Sequence, residues 1–337
     1  MTENNNQRGI ESIAPRVDIN RAYWLVRTMG GDYYHEYVTR GYVAIGYNEV
    51  PQSYIEDIIK TGDDAQKLLV EKINIIDEEE EINKSYAAAQ LLKFHRDMKI
   101  GDVIIVPGRK SEKVMIGFID SNVYTEPNVS RDMYACPFDK RRKVEWIREY
   151  MRGNLNPKLQ LMFNSRHIIS NVDSYAGYID SLINDFYVKD GHAFLVLRVK
   201  TQNDISANDF SGIFEVLDII KEFEEEYNLG LKPNDINIKI SVQSPGDILL
   251  SIVNNPQTLF FFGFIILLIN GGGFKVENWG LDLSTPGLLK SISEFLDRRK
   301  DRALKAEIKK KLENLDIDDP QDIIRLIQET KNPRKDY

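Results

Sequence analysis

The sequence predicts an α+β protein of two domains, in which a small β-barrel braced by helices precedes a second α+β domain with a long basic helix. At 337 residues the chain exceeds the roughly 250 to 300 residues at which single cores stop growing. Residues 92–102 have helical spacing and end on Gly-Asp, and two apolar runs, 103–106 and 114–119, follow as a β-hairpin. A helix that feeds a hairpin is typical of a small barrel that presents a pocket.

Composition limits the classes of function. The formal net charge of -8 argues against a protein that coats any polyanion, so nucleic-acid contacts should be local. The single cysteine, Cys136, excludes an internal disulfide framework and a cysteine-rich zinc site, which favours a reducing, cytoplasmic compartment. Residues 1–19 and 331–337 are expected to be polar tails, the first of them disordered and without an apolar signal core.

The first domain is expected to span residues 20–188 and to mix short strands with helices. Strands are predicted at 23–27 and 42–46, where aromatic and β-branched residues are dense, and a helix at 65–76. The acidic run 77–81 is expected to be a solvated connector. After the hairpin, residues 144–146 are expected to form the last barrel strand, and the helical segments 155–163 and 172–186 to brace the barrel.

The second domain, residues 189–330, is expected to be an effector or oligomerisation domain. It begins with a compact strand at 193–201, an amphipathic helix at 210–227 and an alternating strand at 235–242. It closes with apolar positions at helical spacing over 288–315. The outer face of that helix is expected to be basic, because residues 298–312 hold eight Lys or Arg against two acids.

Residues 259–269 form an unbroken apolar run, closed by Asn270 and three glycines. Crossing a bilayer takes roughly 20 residues, so the run is too short for an ordinary span. A buried core segment is favoured, and a homo-oligomer interface or a membrane-inserting segment are the alternatives that the sequence leaves open.

Five short motifs of the first half occur in the order found in a known family, and they are residues 23–27, 43–47, 92–102, 116–117 and 142–146. By these motifs the segment of about 20–180 resembles the PUA superfamily, and within it the EVE-like domains of modified-DNA restriction systems of the Mrr and McrB kind. The resemblance implies a small barrel whose aromatic pocket accepts a base, often a modified one, that is flipped out of a nucleic acid. The family usually has Trp at Tyr47 and Gly-Glu-Val at residues 117–119, which leaves the modification open.

Base-reading pockets need flat aromatic walls and a few polar groups that test the base edge, since stacking one base contributes about 1 to 3 kcal/mol. The residues expected to form such a pocket are Trp24, Tyr47, Asn48, His95, Pro107 and Trp146. For Trp24 and Trp146 a purely structural role in the barrel core is the alternative. Phosphate contacts are expected from the hairpin tip and from the cluster before the last strand, namely Arg109, Lys110, Lys113, Lys140, Arg141, Arg142 and Lys143.

The sequence offers no motif for catalysis, and no metal or cofactor is expected. A restriction-type nuclease strand would need a second acid where residues 197–200 have Arg198. The four histidines lack metal-ligand spacing, and residues 271–273 lack the lysine of a phosphate-binding loop.

The sequence therefore favours a non-enzymatic nucleic-acid sensor, of DNA rather than RNA, in anti-phage or restriction-type defence. The alternative is a self-assembling or membrane-contacting effector that acts through residues 259–269 and the basic helix.

Overall fold

The computed structural model of the protein describes residues 14–62, 64–76, 83–129, 135–240, 246–270, 292, 294–296 and 302–331. The chain divides into two compact units. One unit is Asn20–Ile179, and the other joins the described residues from Asp180 onward to residues 14–19. The predicted α+β class is confirmed.

The sheet of the Asn20–Ile179 unit curls into a half-barrel of seven strands. Its strands are β1 (Tyr23–Val26), β2 (Tyr42–Ile45), β3 (Val103–Pro107), β4 (Lys113–Ile119), β5 (Tyr124–Thr125), β6 (Lys140–Met151) and β7 (Ile169–Asn171). They follow the order β2-β6-β4-β3-β1-β7, with β5 paired to β6. The β1 and β3 strands are parallel and their neighbours antiparallel. The expected hairpin is β3 and β4, and all five residues of β3 are buried.

Five helices belong to the same unit, and they are α1 (Tyr34–Arg40), α2 (Gln52–Lys60), α3 (Ala65–Ile76), α4 (Lys84–Leu92) and α5 (Pro157–Gln160). The α4 helix continues into a π-helical turn, Lys93–Asp97. Apolar side chains of α2, α3 and α4 pack on the sheet around Ile55, Leu69 and Leu91, which are fully buried. The expected connector 77–81 lies outside the described residues.

The other unit is built on an antiparallel sheet of four strands in the order β10-β11-β9-β8. These are β8 (Phe186–Lys189), β9 (His192–Val199), β10 (Asn237–Ile240) and β11 (Gly246–Val253). The helices α7 (Ala207–Tyr227), α8 (Pro256–Asn270), α9 (Arg302–Leu315) and α10 (Gln321–Lys331) pack against one another and the sheet, while α6 (Ala176–Ile183) contains the boundary between the units.

The unit boundary and the amino-terminal tail differ from expectation for one reason, the pairing of β8. Because β8 pairs with β9 along its length, residues 180–188 belong to the carboxy-terminal unit rather than to the first domain. Part of the expected disordered tail is ordered on the same strand. The Val17 amide donates to the Val188 carbonyl at 2.9 Å, and the Val188 amide donates to the Pro15 carbonyl at 2.8 Å.

The apolar run 259–269 is a core helix. Its residues Leu259–Leu267 lie in α8 and are at most 2 % exposed, because α7, α9, α10 and the sheet surround them. The buried core that the sequence favoured agrees with this packing. The alternative of a homo-oligomer contact through Leu259–Ile269 gains no support, since these side chains are largely packed inside their own chain. Among the described helices, none combines the length and the apolarity that a membrane span requires.

The basic helix is less basic at its surface than the sequence suggests. Lys311 is 5 % exposed, and its ammonium forms ion pairs with Glu215 on α7 and, at 2.9 Å, with Glu307. Lys309 pairs with Glu313 at 3.7 Å. The expected uniformly basic outer face is therefore corrected for these two positions, and residues 298–301 lie outside the described part of the chain.

Candidate functional site: an aromatic cavity at the seam of the half-barrel

A cavity of about 780 Å³ opens in the Asn20–Ile179 unit. Four segments line it, namely Arg27–Gly30 after β1, Ala44–Tyr47 at the end of β2, Phe138 before β6, and Phe163–Ile168 before β7. Strand pairing brings these segments together in two groups, because β1 pairs with β7 and β2 pairs with β6. The cavity therefore lies where the two margins of the curled sheet approach each other.

Three aromatic side chains form the walls of the cavity, those of Tyr47, Phe138 and Phe163. The Phe138 ring packs edge-on against Tyr33, with the ring centroids 5.5 Å apart. A side chain at Gly46 would place its Cβ 3.1 Å from the Phe138 ring, so glycine lets the ring approach the end of β2. Flat rings fixed by their neighbours suit a planar ligand, because each can stack without first losing rotamer freedom.

Tyr47 has a backbone φ of 64°, in the left-handed region that disfavours most side chains. Lys140, which is fully buried, holds this turn, because its Nζ donates to the Tyr47 carbonyl at 2.9 Å and pairs with Asp139 at 3.0 Å. Burial raises the pKa of the Tyr47 phenol, and Tyr86 adds to this shift. The Tyr47 phenol is therefore neutral, and a buried cation holds the backbone turn that carries the ring.

Arg27 is the cation inside the cavity. Its Nη2 donates to the backbone carbonyls of Phe163 and Ser165. Burial lowers the pKa of Arg27, and the nearby Arg152 contributes. The Arg27 amide also donates to the Ile168 carbonyl at 2.8 Å, which extends the pairing of β1 with β7. The guanidinium is thus anchored to the cavity wall by carbonyls rather than by a carboxylate.

Three further cations, here termed the mouth cations, lie at the edge of the cavity, and they are Arg109, Lys110 and Arg166. Arg166 lines the cavity and is exposed. Arg109 and Lys110 form the exposed tip of the β3–β4 hairpin. Within the described residues, none of the three forms an ion pair. Their charge is therefore available to an anionic ligand.

The hairpin tip and the edge of the cavity are in backbone contact. Met29, Gly30 and Gly31 have φ values of 49°, 72° and 110° and carry the chain past the cavity. A Cβ at Gly31 would lie 2.3 Å from the Cα of Arg109, so the two turns touch through their backbones. This contact places Arg109 beside the lining residues Met29 and Gly30.

The tryptophans expected in the pocket do not line the cavity. Trp24 is 5 % exposed, and its Nε1 donates to Asp102 at 2.9 Å. The same carboxylate accepts from the backbone amides of Ala22 and Lys99, so Asp102 joins β1 to the end of the π-helical turn. Trp146 packs against the core and donates to the Tyr37 carbonyl at 2.9 Å. Both rings therefore have the structural role that the sequence left open as the alternative.

Of the other expected pocket residues, only Tyr47 lines the cavity. Pro107 is buried in β3, and its carbonyl accepts from Thr28. The Nδ1 atom of His95 lies 2.9 Å from the Leu91 carbonyl, and its Nε2 is buried without a hydrogen-bond partner in the described part of the chain. Asn48 does not line the cavity but holds the loop that carries Phe138. Its Nδ2 donates to the Pro137 carbonyl, and its Oδ1 accepts from the Asp139 amide.

The basic cluster before β6 is mostly interior. Lys140, Arg141 and Arg142 are at most 4 % exposed, so they are not available to phosphate, contrary to expectation. Arg141 lies over the Tyr42 ring at 4.2 Å. Arg142 donates to the carbonyls of Phe94, Met98 and Ser121, and burial lowers its pKa to about 10.

Besides Arg109 and Lys110, two further expected phosphate ligands are exposed, and they differ in their surroundings. Lys113 pairs with Glu149 at 2.9 Å, while Lys143 lies opposite Tyr42 in β6 and does not line the cavity. The sequence did not single out Arg27, Phe138, Phe163 or Arg166. Arg27 directly follows a buried strand and belongs to the motif 23–27, which gave it no role in a site. Phe138 and Arg166 lie in loops, and Phe163 lies in the 3-10 helix Leu161–Asn164 at the end of a predicted helical segment.

The model of the family described as "Domain of unknown function (DUF8426)" matches residues 24–167. Every residue named above as lining the cavity, except Ile168, falls inside this match. Among curated proteins, none matches the chain. The YTH domain of the Zygosaccharomyces rouxii MRB1 protein, solved in complex with N6-methyladenosine RNA, is 12% identical, covers 50% of this chain and 90% of its own, and superposes with a TM-score of 0.27. That score is too low to assign a shared fold, and membership of the PUA superfamily stays a prediction.

Proposed function

We propose that the Asn20–Ile179 unit is a non-enzymatic nucleic-acid-binding domain whose cavity takes up one base displaced from its strand. The observation that carries the proposal is the cavity itself, with three aromatic walls inside and the mouth cations at its edge. In this proposal the carboxy-terminal unit is the effector or oligomerisation part; it contains the second domain that the sequence predicts at residues 189–330.

The cavity has the size and walls that such a ligand needs. Small-molecule pockets commonly enclose about 300 to 1,000 Å³, and 780 Å³ lies within that interval. Stacking a base on an aromatic side chain contributes about 1 to 3 kcal/mol, which offsets the few kcal/mol needed to extrude it. The space also admits a substituent on the base, so the proposal extends to a modified base.

The charge distribution supports a nucleic acid over a neutral ligand. The chain has a formal net charge of -8, yet the mouth cations form no ion pair with the described residues. Phosphates on either side of an extruded base remain outside the pocket, where exposed Arg and Lys side chains can contact them. Local cations on an acidic protein predict binding that is confined to this mouth and sensitive to salt.

The test is binding of labelled oligonucleotides, followed by fluorescence anisotropy at about 50 and 200 mM salt. Duplex DNA, duplex DNA with a mismatch or a modified base, single-stranded DNA and RNA are compared, with DNA expected to bind best. We expect Tyr47→Ala and Phe138→Ala each to weaken binding about 5-fold to 100-fold through lost stacking. Tyr54→Ala is the control, because that ring stands under Lys72 on another part of the unit.

The proposal fails if no oligonucleotide binds in a salt-dependent way, or if the folded Tyr47→Ala protein binds as well as the parent. The assignment to anti-phage or restriction-type defence rests on the sequence resemblance alone. Plating of phage with modified and unmodified DNA on cells that carry the parent or the Tyr47→Ala protein tests it, and equal plating on both would remove that part.

A further inference from the structure

The polar side chains that line the cavity are rich in hydrogen-bond donors. Arg27 and Arg166 only donate, while Tyr47, Asn164 and Ser165 can donate or accept. The Ser165 hydroxyl is already paired with that of Ser170 at 2.6 Å. Among the described residues that line the cavity, none is an aspartate or a glutamate. The cavity therefore lacks the carboxylate acceptor that pairs best with an amino group.

Arg27 is the donor best placed to meet a base edge. It is half-buried, whereas Arg166 is exposed. Its Nη2 is fixed by the carbonyls of Phe163 and Ser165, two acceptors of the cavity wall that are thereby occupied. Its Nε and Nη1 form no hydrogen bond with any residue that the structure describes. A base that enters edge first keeps its sugar and phosphates toward the opening, and in that pose its edge would meet the anchored guanidinium while its phosphates would meet the mouth cations.

We propose, on the basis of the function proposed above, that the cavity selects bases with a carbonyl at the ring position where adenine and cytosine carry an amino group. Guanine, hypoxanthine, uracil and thymine belong to this keto class. Their carbonyl oxygen accepts from the guanidinium of Arg27. An amino group in its place would point N–H toward N–H, and both would lose water without gaining a partner.

Two matched ligand pairs test this preference in the unaltered protein. Inosine and adenosine 5′-monophosphates differ in the substituent at C6 of the purine and in the hydrogen on the adjacent ring nitrogen, and uridine and cytidine 5′-monophosphates differ in the same way at C4 and N3 of the pyrimidine. Phosphate and sugar are the same within each pair. We expect calorimetric titration to show the keto member binding about tenfold more tightly in both pairs. Equal affinity within the pairs, or preference for the amino member, would overturn the inference while leaving base binding intact.

If none of the four nucleotides binds although oligonucleotides do, the preference is overturned and the proposed function stands. If oligonucleotides fail to bind as well, both are overturned. Substitution then locates the preference. Arg27→Gln replaces a pure donor by an amide that both donates and accepts. We expect its inosine-to-adenosine affinity ratio to fall toward one, while Arg27→Lys, still a pure donor, keeps the preference.

Arg148→Gln is the matched control, since Arg148 is an exposed residue of β6 that does not line the cavity. Thermal unfolding of each variant confirms that the fold is retained. A ratio that stays at about ten in folded Arg27→Gln would show that another group reads the edge and would overturn the role assigned to Arg27.

Discussion

The cations at the cavity of the Asn20–Ile179 unit differ in their partners from those of the carboxy-terminal unit. In the carboxy-terminal unit, Arg198 bonds Asp185 at 2.7 Å and Lys189 bonds the fully buried Asp180 at 2.7 Å. At the cavity of the other unit, Arg27 bonds only carbonyls, and the mouth cations form no ion pair among the described residues. A basic residue can thus form an ion pair inside the protein, or it can leave its charge exposed to a ligand.

The comparison teaches that a cation indicates a ligand site when no carboxylate of the described residues pairs with it. A buried ion pair holds elements together and leaves nothing to bind, because both charges are satisfied. An exposed cation beside an aromatic cavity leaves its interaction to a ligand. The following predictions test this division, from the effect on stability expected to be largest to the effect on binding expected to be smallest.

Arg198→Ala should be the most damaging change. It removes the partner of Asp185 and the donor to the carbonyls of Ser181 and Leu182. It also removes the cation 3.9 Å from Asp247, whose pKa burial already raises. The pair is part-buried, and its loss together with the two bonds to carbonyls should cost about 3 kcal/mol. Urea unfolding should show this loss. Lys200→Ala is the control, because its exposed pair with Asp318 should contribute about 0 to 1 kcal/mol.

His95 should make stability depend on pH. Burial lowers its pKa from 6.5 to about 4, with Arg142 and Lys140 contributing. The unfolded chain therefore binds a proton between pH 6.5 and 4 that the folded chain does not. Stability is fully present above pH 6.5 and falls, by about 3 kcal/mol at most, as the pH drops through this window.

Denaturant unfolding at about pH 7.5 and 4.5 measures this dependence. We expect His95→Phe to flatten the pH dependence of stability, because phenylalanine does not titrate. The change should also break no hydrogen bond of Nε2, which has no partner in the described residues. An unchanged slope in the variant would mean that other groups cause the pH dependence.

Trp24→Phe should separate a structural aromatic from the cavity walls. The change deletes the indole donor to Asp102 and leaves a buried acceptor short of one bond. We expect a loss of about 1 to 3 kcal/mol in the free energy of unfolding. Base binding by the folded variant should stay within a factor of about two, whereas weakened binding would return Trp24 to the site.

Tyr47→Gly should give the reverse pattern. Glycine accepts the positive φ without strain, which offsets part of the packing lost with the ring. We expect stability to change by about 1 kcal/mol or less, while oligonucleotide affinity falls about 5-fold to 100-fold. A change in stability without a change in affinity would assign the ring to the core.

Lys110→Ala should have the smallest effect. One phosphate contact fewer lowers affinity about equally for all sequences and reduces the slope of log K against log salt by about 1. Lys143→Ala is the matched control, an exposed lysine that lies opposite Tyr42 in β6 and does not line the cavity. Equal slopes in the two variants would contradict the placement of the phosphates at the hairpin tip.

Local features of the fold could be predicted from the sequence. The hairpin of β3 and β4 and the helices α3 and α7 follow from apolar periodicity and turn residues, which act between neighbours in the chain. The core location of α8 follows from the length of its apolar run.

The site depended on partners that are distant in sequence. Whether Trp24 stacks on a ligand or bonds inward is decided by Asp102, and whether Lys140 meets phosphate is decided by the turn at Tyr47. Phe138 and Phe163 face one cavity only because the sheet curls. No spacing rule connects such residues, so the aromatic and basic residues predicted by proximity in the chain were in large part interior.

The touching backbones of Gly31 and Arg109 have one more consequence. Because Gly31 has no side chain to hold them apart, the two turns pack directly against each other. Folding itself therefore sets the distance between the aromatic cavity and the cations of the hairpin tip. The conformational entropy needed to fix these two parts relative to each other is lost during folding. It does not have to be lost again on binding, so the partner meets a preorganised surface.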